Sequence, residues 1–169
     1  LAHGALHVRN IAVGADDDAP PVRLLDSGAN HLRARTSLLT LRDGGPSAHL
    51  AAWAAPEQLF GEPTTPRSDV YSFGLLCHYL LTGRLPFNPD DPDFARQKLA
   101  ADPDPLGFYA PHAQIPDELE DMVLRLVDSS PTRRPADAGQ VLERLSGVIS
   151  SAPMSPSSVP DLDIDAELE

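Results

Sequence analysis

The sequence predicts a mostly α-helical fold that carries one small β-hairpin. Three observations predict it. Two short β-like runs stand near the start. A later segment is apolar on every side. Two further segments repeat apolar residues at helical spacing. The β-like runs are Ile11–Val13 and Val22–Leu25, and the connector from Gly14 to Pro21 is built of Gly, Asp, Ala and Pro, which favours a turn and makes the pair a hairpin. Between Ser27 and His49 no period is sustained, and Gly44-Gly45-Pro46 marks a long loop.

Helices follow the loop. Ser68 is expected to cap a helix starting at Asp69, and Gly83 to end it, with Pro86 beyond. Its apolar residues, among them Val70, Tyr71, Leu75, Leu76, Tyr79 and Leu80, lie all round, so it reads as a central pillar buried on every side. Phe94–Ala101 predicts a shorter helix. Pro116–Val127 is a clearer one: Leu119, Met122, Val123, Leu126 and Val127 form one stripe, and Asp117 and Glu118 suit the positive end of its dipole. The last helix is expected from about Ala136 to Ile149, with Ala138, Val141, Leu142, Leu145, Val148 and Ile149 as its apolar stripe.

Composition narrows the function. The chain has 169 residues, with 25 Asp+Glu against 13 Lys+Arg and a formal net charge of −12. A balance so acidic excludes general nucleic-acid binding and docking on anionic lipid, because nothing would attract phosphates. Apolar residues make up 41%, enough for a packed core. The single cysteine, Cys77, leaves no internal disulfide and no Cys-rich metal site; on the apolar helix it reads as a buried, inert thiol. The longest near-apolar run, Val70–Leu81, is too short to span a bilayer, and no signal peptide opens the chain. A cytoplasmic domain with no membrane contact within the chain is expected. The chain opens at Leu1 on a dense motif, so it is expected to begin inside a larger domain. Residues 150–169, rich in Ser and Pro and ending in the acidic run Asp161–Glu169, read as a disordered tail after a domain at 1–149.

The polar residues carry the chemistry. His3-Gly4-Ala5-Leu6-His7-Val8-Arg9-Asn10 precedes the first strand. Asp26-Ser27-Gly28 follows the second, sixteen residues after Asn10. Ala55-Pro56-Glu57 closes the long loop, and Asp69 comes twelve residues later on the buried helix. Leu81-Thr-Gly-Arg-Leu-Pro-Phe87 and Arg134-Pro135 complete the series. Each piece alone is common, but the ordered series is specific. The series resembles the C-terminal lobe of the eukaryotic-like serine/threonine protein kinases, over about residues 1–149.

The resemblance implies roles. Asn10 and Asp26 match the family's two metal ligands, so they are the candidate cofactor-binding and metal residues. Glu57 and Arg134 match a buried structural pair, and Asp69 matches the residue that holds the catalytic-loop backbone. It also implies losses. The family's catalytic Asp is Ala5, its phosphoryl-stabilising Lys is His7, the Arg that clamps a phosphorylated loop is Gly4, and the Phe after the metal-binding Asp is Ser27. No residue is assigned a catalytic role. No Gly-rich loop and no N-terminal lobe are recognisable, so Mg²⁺ and ATP are expected only if an N-lobe is supplied, with no cofactor for this chain alone.

Blander readings stand beside these. His3 is expected to be structural. Asp16-Asp17-Asp18 reads as a solvated turn, since EF-hand spacing is absent. Trp53 reads as core. The expected function is a catalytically impaired kinase homologue, a pseudokinase, that binds or regulates a protein partner such as a kinase or its substrate. The alternative is a piece of an atypical but active ATP-dependent serine/threonine kinase, because metal positioning carries much of phosphoryl transfer.

Overall fold

A computed structural model describes residues 2–14, 22–25 and 47–151. The hairpin is present: β1 (Ile11–Val13) and β2 (Val22–Leu24) pair antiparallel, with Ile11 opposite Leu24, Ala12 opposite Arg23 and Val13 opposite Val22. A 3-10 turn at Val8–Asn10 leads into β1. Seven helical segments follow among the described residues: α1 (Ser47–Trp53), α2 (Pro56–Leu59), α3 (Pro66–Thr82), α4 (Phe94–Ala100), α5 (Leu106–Tyr109), α6 (Asp117–Leu126) and α7 (Ala138–Ser151). This is a mostly helical fold with a two-stranded sheet, as the sequence predicts.

The central pillar is α3, and it corrects the expectation at its start. The helix begins at Pro66, after Thr65 in extended conformation. Proline suits a first helical position, where an N–H has no partner to lose. Ser68 is therefore not the cap. It sits in the first turn, where its Oγ accepts from the Thr65 N–H at 3.1 Å and donates to Glu57 Oε1 at 2.8 Å. Gly83 does end the helix, at φ +72°, donating its N–H to the Tyr79 carbonyl.

Burial of α3 is deep but not complete. Tyr71 and Leu75 are wholly buried, whereas Leu80 is 46% exposed. Helix α6 crosses α3 at Gly74, where a Cβ would stand 2.6 Å from Leu126 Cβ and 2.8 Å from Val127 Cγ1. Glycine is what permits this approach. The α6 stripe is as predicted, with Leu119, Met122, Val123 and Leu126 buried, although Pro116 stands just before the helix rather than in its first turn. On α7 the stripe is narrower than expected: Val141 is buried and Leu145 and Val148 pack against the core, but Leu142 is 66% exposed. Helix α7 touches the lobe along one side, and Leu142 lies about 100° round from Val141.

The sequence pattern did not separate α1, α2 and α5. They have seven, four and four residues, too few to establish a period. The start of α1 lies inside the stretch read as loop, whose residues 27–46 lie outside the described ones. The last turn of α7 includes Ser150 and Ser151, assigned above to the tail; residues 152–169 lie outside the described ones. Trp53 is core, edge-on to Tyr79 with centroids 5.7 Å apart. Cys77 is half-buried, and burial pushes its thiol up to about 12, in keeping with an inert cysteine. No helix among the described residues is long and apolar enough to cross a membrane.

Candidate functional site

The candidate site is the loop from Ala2 to Asn10, which runs into β1. Three elements hold its backbone. At the start of α3, Asp69 accepts the N–H of His3 at 2.6 Å and of Gly4 at 2.8 Å, one on each carboxylate oxygen. From α2, Gln58 Nε2 donates to the Gly4 carbonyl at 3.0 Å. From within the loop, Asn10 Nδ2 donates to the Ala5 carbonyl at 2.5 Å, and Asn10 Oδ1 accepts the His7 N–H at 3.0 Å. The His3 ring adds a fourth tie, with Nε2 3.1 Å from the Leu25 carbonyl just past β2. A structural role for His3 fits this contact.

Gly4 has φ +82°, in the left-handed region that glycine tolerates and branched or long residues resist. A Cβ there would meet only Thr64 Cγ2, at an ordinary 3.5 Å, so the constraint is conformational rather than steric crowding.

Behind the loop stands a buried ion pair. Arg134 Nη1 donates to Glu57 Oε1 at 2.8 Å and Nη2 to Oε2 at 3.0 Å, with side chains 0% and 6% exposed. The remaining guanidinium N–H groups reach the carbonyls of Asp128, Arg67 and Ser129. The guanidinium also lies over the Tyr71 ring, 4.7 Å from its centroid. Burial pushes the Glu57 carboxyl up, but the Arg134 hydrogen bonds and charge, helped by Ser68, outweigh that and hold it below the usual value. Arg67 donates to the carbonyls of Pro131 and Arg134, tying the loop before α7 to the start of α3.

The predicted metal residues meet different outcomes. Asn10 is 1% exposed, and both ends of its amide are engaged within the loop. Asp26 lies outside the described residues, as does the Asp16–Asp18 run. Among the described residues no group of three His, Cys, Asp or Glu side chains could hold a metal ion. Of the predicted ligand atoms they offer one neutral oxygen, Asn10 Oδ1, already accepting a hydrogen bond. Alone they do not fit Mg²⁺, which takes several hard oxygen ligands in octahedral array. Two positioning residues went unnoticed in the sequence. Gln58 follows Ala-Pro-Glu directly, a signal that was available. Lys98 is buried on α4, and nothing in its neighbourhood in the sequence announces it.

This framework agrees with the comparisons. Residues 1–145 match the family model described as protein tyrosine and serine/threonine kinase. The chain belongs to the protein kinase family. It is 30% identical over 152 residues to Serine/threonine-protein kinase pkn2 of Myxococcus xanthus, covering 89% of this chain and 18% of that protein. It is 33% identical over 144 residues to Serine/threonine-protein kinase PknL of Mycobacterium tuberculosis, covering 82% of this chain and 33% of that protein. The chain thus spans between 18% and 33% of the length of these curated relatives. In fold it is similar to the twitchin kinase region of C. elegans, with a TM-score of 0.63 at 21% identity over 93% of this chain and 26% of that one.

Within the protein kinase frame, Ala5 is half-buried and presents a methyl group, and its carbonyl is held by Asn10. The His7 ring accepts the Arg9 N–H on Nδ1 at 3.2 Å, closing the 3-10 turn. Glu57, Asp69 and Arg134, the scaffold residues singled out by the resemblance, are all engaged, and Glu57 and Arg134 are buried.

Proposed function

We propose that this chain is a protein kinase domain of impaired phosphoryl-transfer chemistry, a pseudokinase whose role is to bind and regulate or scaffold a protein partner. One observation carries the reading. The loop that presents the catalytic carboxylate in the family is fully anchored by Asp69, Gln58 and Asn10, yet it presents the methyl of Ala5. A methyl group neither orients a substrate hydroxyl nor accepts its proton. General-base assistance is worth roughly 10²–10⁴ in rate. His7 stands where the family has its lysine, and its Nδ1 accepts the Arg9 N–H. Contact with Mg²⁺ and ATP through Asn10 and Asp26 belongs to the same proposal, on condition that an N-terminal lobe is supplied.

The test uses the protein as its gene encodes it. Transfer of the γ-phosphate of Mg·ATP to a generic protein substrate is measured for the wild type, for A5D/H7K and for D26A. The wild type is expected near background, with A5D/H7K raised about a hundredfold or more if base and charge are what is missing. Robust wild-type transfer that D26A abolishes would overturn the proposal in favour of an active, atypical serine/threonine kinase.

A further inference from the structure

Helix α1 supplies little of its own termination. At seven residues it is too short to persist in water on propensity. Ala54 rather than glycine follows it, and its last turn holds no basic residue. The Ala54 N–H donates to the Ala51 carbonyl at 3.1 Å, and the other C-terminal carbonyls are satisfied by side chains from distant helices. On α4, Lys98 Nζ donates to the carbonyls of Ala52 at 2.7 Å, Ala54 at 2.8 Å and Ala51 at 3.3 Å. On α3, Ser72 Oγ donates to the Trp53 carbonyl at 2.8 Å.

Lys98 is unusual in being 1% exposed with no carboxylate among its hydrogen-bond partners. Its place suits a cation by other means. The carbonyl end of a helix is the negative end of its dipole. Two aromatic faces complete the cage, with Nζ 4.9 Å from the Phe94 centroid and 5.4 Å from that of Tyr71. The charged groups nearby, Arg134 and Glu57, are spent on each other. Burial, and then Arg134, hold the ammonium well below the usual lysine value, with Glu57 opposing. Most of the contact survives loss of that charge: an ammonium donates three hydrogen bonds and a neutral amine two, enough for the carbonyls of Ala52 and Ala54.

We propose that Lys98 is a latch that makes the order of α1, and hence of the segment running into Ala55-Pro56-Glu57, conditional on the seating of α4. Residues 96, 99 and 100 of α4 are exposed on its far side, so a partner that displaces α4 would unfasten α1 without touching the Glu57–Arg134 pair. This device does not rest on whether the catalytic chemistry is impaired.

Hydrogen exchange on the full-length protein tests it. In K98M, which keeps the stem and loses the donors, amides of residues 47–55 are expected to exchange at least about tenfold faster, while those of α6 and α7 keep wild-type protection. K98R, which restores donors and charge, should recover part of the protection. A uniform loss across α1, α6 and α7 would make Lys98 an ordinary core residue and overturn the latch, as would unchanged exchange in 47–55. Should K98M not accumulate as folded protein, K98Q, which retains one donor pair, is read by the same two criteria.

Discussion

Replacing Arg134 with methionine probes the buried Glu57–Arg134 pair. Methionine keeps a long stem against Tyr71 and removes every donor. Glu57 would then stand as a carboxylate in a side chain 6% exposed, with Ser68 Oγ as its remaining side-chain donor. The carbonyls of Asp128, Ser129 and Arg67 would each lose a partner. Breaking a buried pair from one side costs about 3–5 kcal/mol, a large part of the roughly 5–15 kcal/mol that holds a domain together. The loss should depend on pH. In the wild type the Glu57 carboxyl lies below its ordinary 4.5, so its contribution is present at neutral pH and is lost as pH falls through the folded value. In R134M burial, the largest influence, is opposed only by the Ser68 and backbone hydrogen bonds and pushes the carboxyl up, so protonation relieves the variant at mildly acidic pH. Urea unfolding followed by the single tryptophan, the buried Trp53, measures both proteins at pH 7 and pH 5. The gap should be largest at pH 7 and narrower at pH 5, and E57Q/R134M should be more stable than R134M. A gap under about 1 kcal/mol at pH 7, or one that does not narrow, would refute the argument that an unpaired buried charge sets the cost.

Two further outcomes follow from packing and protonation. G74A sets a gain in helix propensity of about 0.5–1 kcal/mol against overpacking of about 1–3 kcal/mol. With Leu126 Cβ 2.6 Å from the new methyl, overpacking should win and the melting temperature fall; a stabilised G74A would show that α6 yields freely. His78 is fully buried, with Nδ1 2.8 Å from the Arg84 carbonyl and Nε2 without a partner. Burial lowers its pKa below 6.5, with the Arg84 contact opposing. The unfolded chain therefore binds the proton first, and stability should fall as pH drops below about 6.5, by up to about 1.4 kcal/mol per pH unit. H78Q should flatten that slope between pH 7 and pH 5; an unchanged slope would assign the proton uptake elsewhere.

The sequence by itself determined the hairpin, α3 with its glycine stop, the α6 stripe and the pairing partners Glu57, Asp69 and Arg134. Each rests on a signal local to the chain: a turn between β-like runs, a sustained period, or a residue type at a recognisable place in an ordered series. The protein kinase fold was legible for the same reason. Tertiary structure alone decided the rest. Helices α1, α2 and α5 are too short to carry a period, and α1 owes its capping to Lys98 and Ser72, whose partners lie 46 and 19 residues away in the chain. Whether Leu80 and Leu142 faced core or water depended on which sides of α3 and α7 were covered. Ser68 looked like a cap because serine favours caps; the neighbouring Thr65-Pro66 start the helix earlier, and Ser68 lies within its first turn, bonded to Glu57. Periodicity records which face of a segment is apolar, and only the packed chain records what that face meets.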